Sequence, residues 1–208
     1  MTIERGRPWG TSATVPADAV WVPSDAALSV LPAGTCAIAT AGDLWDATGR
    51  PRVGEAGSSC NVVPIDALEC SITWDDGSVT TVVAASRVEV GAWMRPGHRY
   101  VCVTNAGMVD GANLAPRAHP NDGRLDVLGL SASMPWRQRA QARRRSRTGS
   151  HLPHPDIKVA QSASFSITRT GPRERLVIDG TVRPTNRSRA AWLSVTVTVL
   201  PDHWRLVL

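Results

Sequence analysis

The chain has 208 residues, enough to bury one sizeable core, and its hydrophobic content is an ordinary 42%. It contains no run of about 20 apolar residues, which a membrane-spanning helix requires, and its first residues lack the apolar segment of a secretory signal. The four cysteines have no metal-binding spacing, which favours reduced and mostly buried thiols. These features predict a soluble, cytoplasmic protein without a transmembrane segment.

The first 60 residues alternate between short strands and short helices. The predicted elements are a strand at 19–22, a helix at 26–31, a strand at 35–39 and a helical turn at 42–47. Such a βαβα unit binds ligands at the carboxyl ends of its strands. A linker-like stretch at 50–60, rich in glycine and serine, follows it. We therefore predict a boundary between residues 1–60 and residues 61–208.

The remainder of the chain has the pattern of strands joined by turns. Valine-rich runs predict strands at 62–73, 79–90, 99–104, 124–130, 157–159, 162–168, 175–178, 192–200 and 204–208. Residues 194–199 alternate polar and apolar side chains, as in a sheet with one solvent-facing side. A basic helix is predicted at 134–147. The fold class is therefore α+β and dominated by antiparallel strands.

Several motifs occur in a fixed order in the second half of the chain. They are Asn105-Ala-Gly107, Ala115-Pro-Arg-Ala118, Asn121-Asp-Gly-Arg-Leu-Asp126, His154-Pro-Asp-Ile-Lys-Val159 and Arg175-Leu-Val-Ile-Asp-Gly180. This series resembles the NG, APxA, DDGLLDV, HPxVEV and DGE motifs of the diacylglycerol and sphingoid lipid kinases. The resemblance implies the β-sandwich of the C-terminal domain of the NAD kinase and diacylglycerol kinase superfamily. Residues 1–60 would then be a truncated remnant of its nucleotide-binding domain.

In the family that the chain resembles, a glycine-rich GGDGT loop binds the nucleotide phosphates. The residues at this position are Ser24, Asp25, Ala26 and Ala27, of which Asp25 alone matches the loop. Glycines let backbone N–H groups approach phosphate closely, and Pro23 has no N–H group to offer. The resemblance therefore identifies a degenerate nucleotide-binding remnant that is not expected to bind ATP.

The family's DGE motif supplies a glutamate as general base, and here Thr181 follows Asp179-Gly180. A threonine hydroxyl lacks the basicity of a carboxylate, and Asp179 could substitute only with a different reach. We therefore predict a pseudoenzyme without kinase activity, or a module that binds a lipid or a partner. The alternative is an active lipid or small-alcohol kinase whose nucleotide site is completed by oligomerisation, for example in a homodimer, or by a separate subunit.

The Asn-Asp-Gly turn is a candidate metal site. In some bacterial members of the family, the second Asp of DDG and two backbone carbonyls hold a structural Mg²⁺. The matching groups here are the Asp122 carboxylate and the carbonyls of His119 and Arg124. One carboxylate, carbonyls and water are reasonable ligands for Mg²⁺. The alternative is that Asp122 only forms hydrogen bonds within its own turn.

The basic segment of the predicted helix is a candidate contact for anionic surfaces. The residues concerned are Arg143, Arg144, Arg145 and Arg147. Clustered arginines bind phosphates, and a basic helical face beside a tryptophan can lie on an anionic membrane. A solvated helix is the simpler explanation. Specific nucleic-acid binding is not expected, because no RNA-binding aromatic strand, helix-turn-helix or zinc spacing accompanies the arginines.

Overall fold

The computed structural model describes residues 9–183 and 190–208, and strands dominate this part of the chain. In chain order the elements are β1 (Thr11–Thr14), β2 (Val20–Val22), α1 (Asp25–Leu28), β3 (Cys36–Ala39), α2 (Asp43–Ala47), β4 (Ser59–Trp74), β5 (Val79–Ala84), β6 (Arg87–Gly91), β7 (Tyr100–Thr104), β8 (Met108–Val109), β9 (Ala112–Asn113), β10 (Leu125–Leu130), α3 (Trp136–Ser146), β11 (Ile157–Ser162), β12 (Ser164–Thr168), β13 (Leu176–Ile178), β14 (Thr181–Val182) and β15 (Trp192–Val207).

The first sheet is built on β4 and β15, the two longest strands, which pair antiparallel along most of their length. At one end β5 pairs with β4 and β12 pairs with β15. At the other end β1 pairs with β4, while β3 and β2 extend the sheet from β15 in parallel. Strands from the first 60 residues therefore lie in the same sheet as the long strands. The predicted boundary near residue 60 falls at the start of β4 and stays a prediction.

The second sheet has the order β11-β10-β7-β6-β13-β14, and all its pairs are antiparallel. Its inner face packs against β4, β5, β12 and β15 of the first sheet. The apolar core between the two sheets includes Leu68, Ile72, Val88, Val103, Leu125, Trp192 and Val197. Alternating inward side chains from both sheets form this core, so the arrangement is a β-sandwich. Helix α3 covers the outer face of the second sheet, where Ala142 packs with Leu128 and Leu130.

The two short helices near the N-terminus cover the β2–β3 end of the first sheet. Leu28 of α1 and Leu44 of α2 are buried there with Trp204 of β15. Helices of four and five residues have little stability of their own, so this packing holds them in place. As a result, the start of each helix is fixed against the sandwich.

The β-dominated fold is confirmed, and the predicted helices lie within a few residues of α1, α2 and α3. The four cysteines are free and three are buried, as predicted. The prediction of one strand over 79–90 is wrong, because the chain leaves the first sheet after Ala84 and enters the second at Arg87. The two strands predicted at 192–200 and 204–208 are one strand with an irregularity between Leu200 and Trp204.

Candidate functional site

The predicted nucleotide remnant lies at the start of α1. Ser24 is the N-cap of this helix, and its hydroxyl accepts a hydrogen bond from the backbone N–H of Ala27 at 3.2 Å. Ala26 is half-buried and Asp25 is buried. The Ser24 side chain and the N–H of Ala27 thus satisfy each other, so this turn is closed by its own atoms.

The Asp25 carboxylate caps the neighbouring helix. Its two oxygens accept hydrogen bonds from the backbone N–H groups of Asp43 at 2.6 Å and Leu44 at 3.4 Å, in the first turn of α2. Gly42 precedes that turn with φ of 110°, and a Cβ at this position would lie 2.5 Å from Asp25 Oδ1. A glycine is therefore required for the close approach of the carboxylate to the helix.

The Asp179 carboxylate binds the backbone where the chain crosses from the first sheet to the second. It accepts hydrogen bonds from the N–H groups of Ala85 at 2.6 Å, Ser86 at 2.9 Å and Arg87 at 3.1 Å. These bonds explain why the strand predicted over 79–90 breaks at this point. Thr181, in the position of the expected general base, is exposed in the edge strand β14.

Arg87 connects the acidic residues of this region. Its guanidinium forms ion pairs with Asp43, with Glu89 at 3.0 Å and with Asp110 at 2.8 Å. The Asp43 carboxylate also accepts the backbone N–H of Asp110 at 2.9 Å. The fold thus brings Asp25, Asp43, Arg87, Asp110 and Asp179 together, and we call this group the seam cluster.

Burial disfavours the charges of two acids of the seam cluster, Asp25 and Asp43, and one cation lies among them. Burial raises the pKa of Asp25, and the nearby charge of Asp179 adds to the increase. Burial also raises the pKa of Asp43, although the Arg87 guanidinium opposes this. Burial disfavours the charge of Arg87, but the surrounding carboxylates outweigh it and raise its pKa further. Arg87 therefore stays charged and compensates the acids around it.

The predicted metal turn is attached to the first sheet by Asp66 of β4, which is almost fully buried. The Asp66 carboxylate accepts the backbone N–H groups of Gly123 and Asp202, both at 2.9 Å, and the Asn121 amide at 3.1 Å. Asp122 Oδ1 accepts the N–H of Arg124 at 3.0 Å, so this carboxylate does bond within its own turn. The buried Asp66, rather than Asp122, holds the turn in place.

The oxygen-rich turn fits a hard cation. Only one oxygen of the half-buried Asp122 carboxylate is used by the turn, and the buried Asn121 Oδ1 has no hydrogen-bond partner in the described residues. The His119 ring is directed to the turn itself, since its Nδ1 accepts the N–H of Asn121 at 3.2 Å. A Mg²⁺ ion would be held by the Asp122 carboxylate and the carbonyls of His119 and Arg124, and its role would be structural. In residues 9–183 and 190–208, no group of three or more His, Cys, Asp or Glu side chains is placed to hold a metal.

The arginines of α3 fall into two groups. Arg144, Arg145 and Arg147 are exposed, whereas Arg143 is half-buried with its guanidinium 5.8 Å from the centre of the Trp93 ring. Arg143, Arg144 and Arg147 line a shallow pocket of about 380 Å³ beside Asp110, and Arg145 does not. Three of the four predicted contacts therefore converge on one side of the helix.

Arg139, from the same basic run, is completely buried. Its guanidinium donates to the backbone carbonyls of Met134, Trp93, His98 and Ser131, at distances of 2.6 to 3.0 Å. Because Arg139 links α3 to two loops, 92–99 and 131–135, it is a structural residue and contributes nothing to a basic surface.

Several residues of these sites were not predicted as such, among them Asp66, Arg87 and Arg139. Asp66 is an acid inside the apolar run Val63–Leu68, which is a signal for a paired buried charge. Arg139 shares one helical face with Ala142 and Ser146 at the spacing i, i+3, i+7. This spacing in the sequence is a signal that Arg139 lies on the buried face of α3. Arg87 has no comparable local signal.

Comparison with known proteins identifies the sandwich. Residues 63–207 match the family described as the YegS C-terminal NAD kinase beta sandwich-like domain. No curated protein matches the chain. In the part of the chain that the structure describes, no helix has the length and apolar character to cross a membrane.

Two solved structures are similar in fold at low identity. One is described as a diacylglycerol kinase from Bacillus anthracis str. Sterne, with 13% identity, a TM-score of 0.45 and coverage of 91% of this chain and 77% of that chain. The other is yeast NADH kinase complexed with NADH, with 11% identity, a TM-score of 0.49 and coverage of 92% of this chain and 61% of that chain.

The family match spans well over half of the sequence and confirms the resemblance seen in its motifs. The chain belongs to the family of YegS C-terminal NAD kinase beta sandwich-like domains.

Proposed function

We propose that this protein is a family member that has lost phosphoryl transfer and serves as a binding module. One observation carries the proposal: Asp25 at the nucleotide position and Asp179, two residues before the base position, are both engaged by backbone N–H groups. Asp25 caps α2 with both oxygens, and Asp179 accepts three N–H groups at the strand crossing. Each carboxylate has a structural partner in place of a substrate.

The same region lacks the parts that phosphoryl transfer requires. A general base must be within hydrogen-bond reach of the acceptor hydroxyl and free to take its proton. The Asp179 carboxylate already accepts hydrogen bonds from the backbone of residues 85–87. Thr181, two residues later, has a hydroxyl group and cannot act as a carboxylate base. Arg87 fills the space between the acids with a positive charge that is already paired. A nucleotide cradle is also missing, since Pro23 and the closed Ser24 turn offer few free N–H groups.

A direct test measures ATP–Mg²⁺ binding by calorimetry and transfer of labelled phosphate to diacylglycerol, sphingosine and glycerol. The proposal predicts no saturable binding and no labelled product. Phosphorylation that is lost in Asp25→Asn, a variant that keeps a capping oxygen, would overturn it. Asp18→Asn, a change at an exposed acid, is the matched control.

The second candidate is an active lipid or small-alcohol kinase completed by another subunit. Its support is that the fold assembles Asp25, Asp43 and Asp179 in one place although they are distant in sequence. This candidate predicts activity that rises more steeply than protein concentration, or that appears when a partner subunit is added. Sedimentation analysis over the same concentrations would show whether a homodimer forms as activity appears.

For the binding module we propose a peripheral position on an anionic membrane surface. Arg144, Arg145 and Arg147 are exposed on α3, and Trp136 at the start of the helix is 58% exposed. Met94 is 50% exposed and lines the shallow pocket together with Arg143, Arg144 and Arg147. Exposed apolar side chains next to arginines suit the boundary between headgroups and acyl chains.

Vesicle sedimentation tests this surface. The proposal predicts binding to vesicles that contain phosphatidylserine, weaker binding at high salt, and little binding to pure phosphatidylcholine. Changing Arg144, Arg145 and Arg147 to Gln should reduce the binding about a hundredfold, at about 1 kcal/mol for each arginine near the surface. A triple Gln variant of the exposed Arg52, Arg173 and Arg175 is charge-matched and should bind as wild type. Equal loss in both variants would contradict a specific role for α3.

A further inference from the structure

A surface groove of about 720 Å³ lies beside the edge of the second sheet, away from the seam cluster. Loops 115–117 and 149–154 form two of its walls, and β10 and β11 form its floor. Most of its lining is apolar, including Ala115, Pro116, Val127, Leu152, Pro153 and Val159. Val159 is 56% exposed although it lies in a strand. The groove therefore presents apolar surface that the chain itself does not cover.

One residue that lines this apolar groove has a buried polar atom without a partner among the described residues. Asp126 of β10 lines it and is only 7% exposed. Its Oδ1 accepts the side-chain amide of Gln161, its register partner on β11, at 3.0 Å. Its Oδ2 is buried and has no hydrogen-bond partner among the described residues. A buried carboxylate oxygen without a donor is unfavourable, and a ligand that supplies a donor would relieve this cost.

The edge of the sheet beside the groove is open. β11 is the outermost strand of the second sheet, and in residues 9–183 and 190–208 no strand pairs with its outer side. Its residues Lys158, Val159, Ala160 and Gln161 are exposed. An open edge of this kind can accept an extended segment of another protein as an additional strand.

We infer that this groove and the open edge of β11 form a docking site for an extended segment of a partner protein, which places a lysine side chain against Asp126. The inference rests on the proposed role as a binding module and names its partner. A lysine combines an apolar stem of four methylene groups, suited to the groove walls, with an ammonium group that can donate to Asp126 Oδ2.

The free acceptor favours lysine over arginine. The guanidinium group binds a carboxylate best through two parallel hydrogen bonds to both oxygens. Gln161 donates to Oδ1 and leaves Oδ2 as the oxygen without a donor, so one new hydrogen bond would complete this carboxylate. A single acceptor suits the compact ammonium group. Arg117 is also exposed at the groove. Because water screens its charge, it would repel the lysine ammonium group only weakly.

The test is a titration of ¹⁵N-labelled protein with the blocked peptide Ac-Thr-Val-Lys-Val-Thr-NH₂. The inference predicts saturable shifts of the β10 and β11 amides. The same peptide with norleucine or arginine in place of lysine should bind about tenfold more weakly, the loss of roughly one charge-assisted hydrogen bond. Asp126→Asn should lower the affinity for the lysine peptide by a similar factor, while Asp18→Asn should leave it unchanged.

Val159→Arg, a change at an exposed position, is a second variant that should fold and should repel the lysine peptide. Equal binding of the norleucine peptide, tighter binding of the arginine peptide, or shifts that leave β10 and β11 unaffected would overturn the inference. Absence of peptide binding in a protein without kinase activity overturns the inference alone. Phosphoryl transfer by a protein that still binds the peptide overturns the proposed loss of activity alone.

Discussion

The Asp25 carboxylate accepts the backbone N–H of Asp43 at 2.6 Å, so the residue that matches the family's nucleotide loop caps the next helix. The motif resemblance predicts a nucleotide-binding remnant at this aspartate. In the fold it joins α1 to α2, and Gly42 makes room for it. Asp25 therefore has a structural role in the contact between the two helices.

The capping role predicts an effect of Asp25 on stability. Asp25→Ala should lower the free energy of unfolding by about 1–2 kcal/mol, because the first N–H groups of α2 lose their acceptor. Asp25→Asn should cost less, since its amide oxygen can still accept one of them. Urea denaturation measures both, with Asp18→Ala expected to stay within about 0.5 kcal/mol of wild type. Equal stability of Asp25→Ala and Asp18→Ala would show that the cap is unimportant.

Asp66 is predicted to be the most sensitive acid outside the seam cluster. Asp66→Ala leaves the N–H groups of Gly123 and Asp202 and the Asn121 amide without their acceptor. We expect a loss of about 3 kcal/mol or more in the free energy of unfolding. Asp122→Ala removes one bond in a more exposed turn and should cost less than about 1 kcal/mol. Similar losses for both variants would place the attachment of the turn at Asp122 instead.

Arg139 gives a parallel prediction for the basic helix. Arg139→Met broadly keeps the volume of the side chain but removes four hydrogen bonds to backbone carbonyls, and we expect a loss of about 3 kcal/mol in unfolding free energy. Arg139→Lys should recover part of it, since the ammonium group can still donate. Arg137→Met is the control, because Arg137 is exposed two residues away on another face of α3 and should change stability by less than about 0.5 kcal/mol. Thermal or urea unfolding that does not distinguish positions 137 and 139 would contradict this role.

Local patterns predicted the strands and the family, but long-range contacts determined the sites. The alternation of Ser194–Val199 and the ordered motifs are visible in the sequence itself, and the sandwich followed from them. Asp179 binds N–H groups more than ninety residues upstream, so neither the break at Ala85 nor the position of Arg87 has a local cause. The basic run looked uniform, yet the helix buries Arg139 and exposes Arg144. Burial of this kind depends on which face meets the sheet.

The Asn-Asp-Gly turn is predicted to gain stability from Mg²⁺. Binding to the folded chain alone raises the midpoint of thermal unfolding, and about 1 kcal/mol corresponds to about 2–4 °C for a chain of this size. We expect a rise in this range for wild type in millimolar Mg²⁺ relative to EDTA. Asp122→Asn, which loses the charged ligand, should show little or no rise. An equal rise in both proteins would mean that the ion acts elsewhere.

The stability of the protein is predicted to depend on pH through the carboxyl group of Asp126. Burial raises the pKa of Asp126 from 3.8 to about 6, with the charge of Asp122 adding to the increase and Gln161 and Arg124 opposing it. The folded protein therefore binds this proton more tightly than the unfolded chain, so the contribution of Asp126 to stability falls as the pH rises from about 4 to about 6.

Asp126→Asn removes the titrating group, and the stability of the variant relative to wild type should increase by about 1–2 kcal/mol across this pH range, after allowance for solvent screening. Urea denaturation of both proteins on each side of the transition measures the difference, and Asp18→Asn, at an exposed acid, should show no such change. A relative stability of Asp126→Asn that is constant with pH would mean that the folded environment does not disfavour the charged carboxylate.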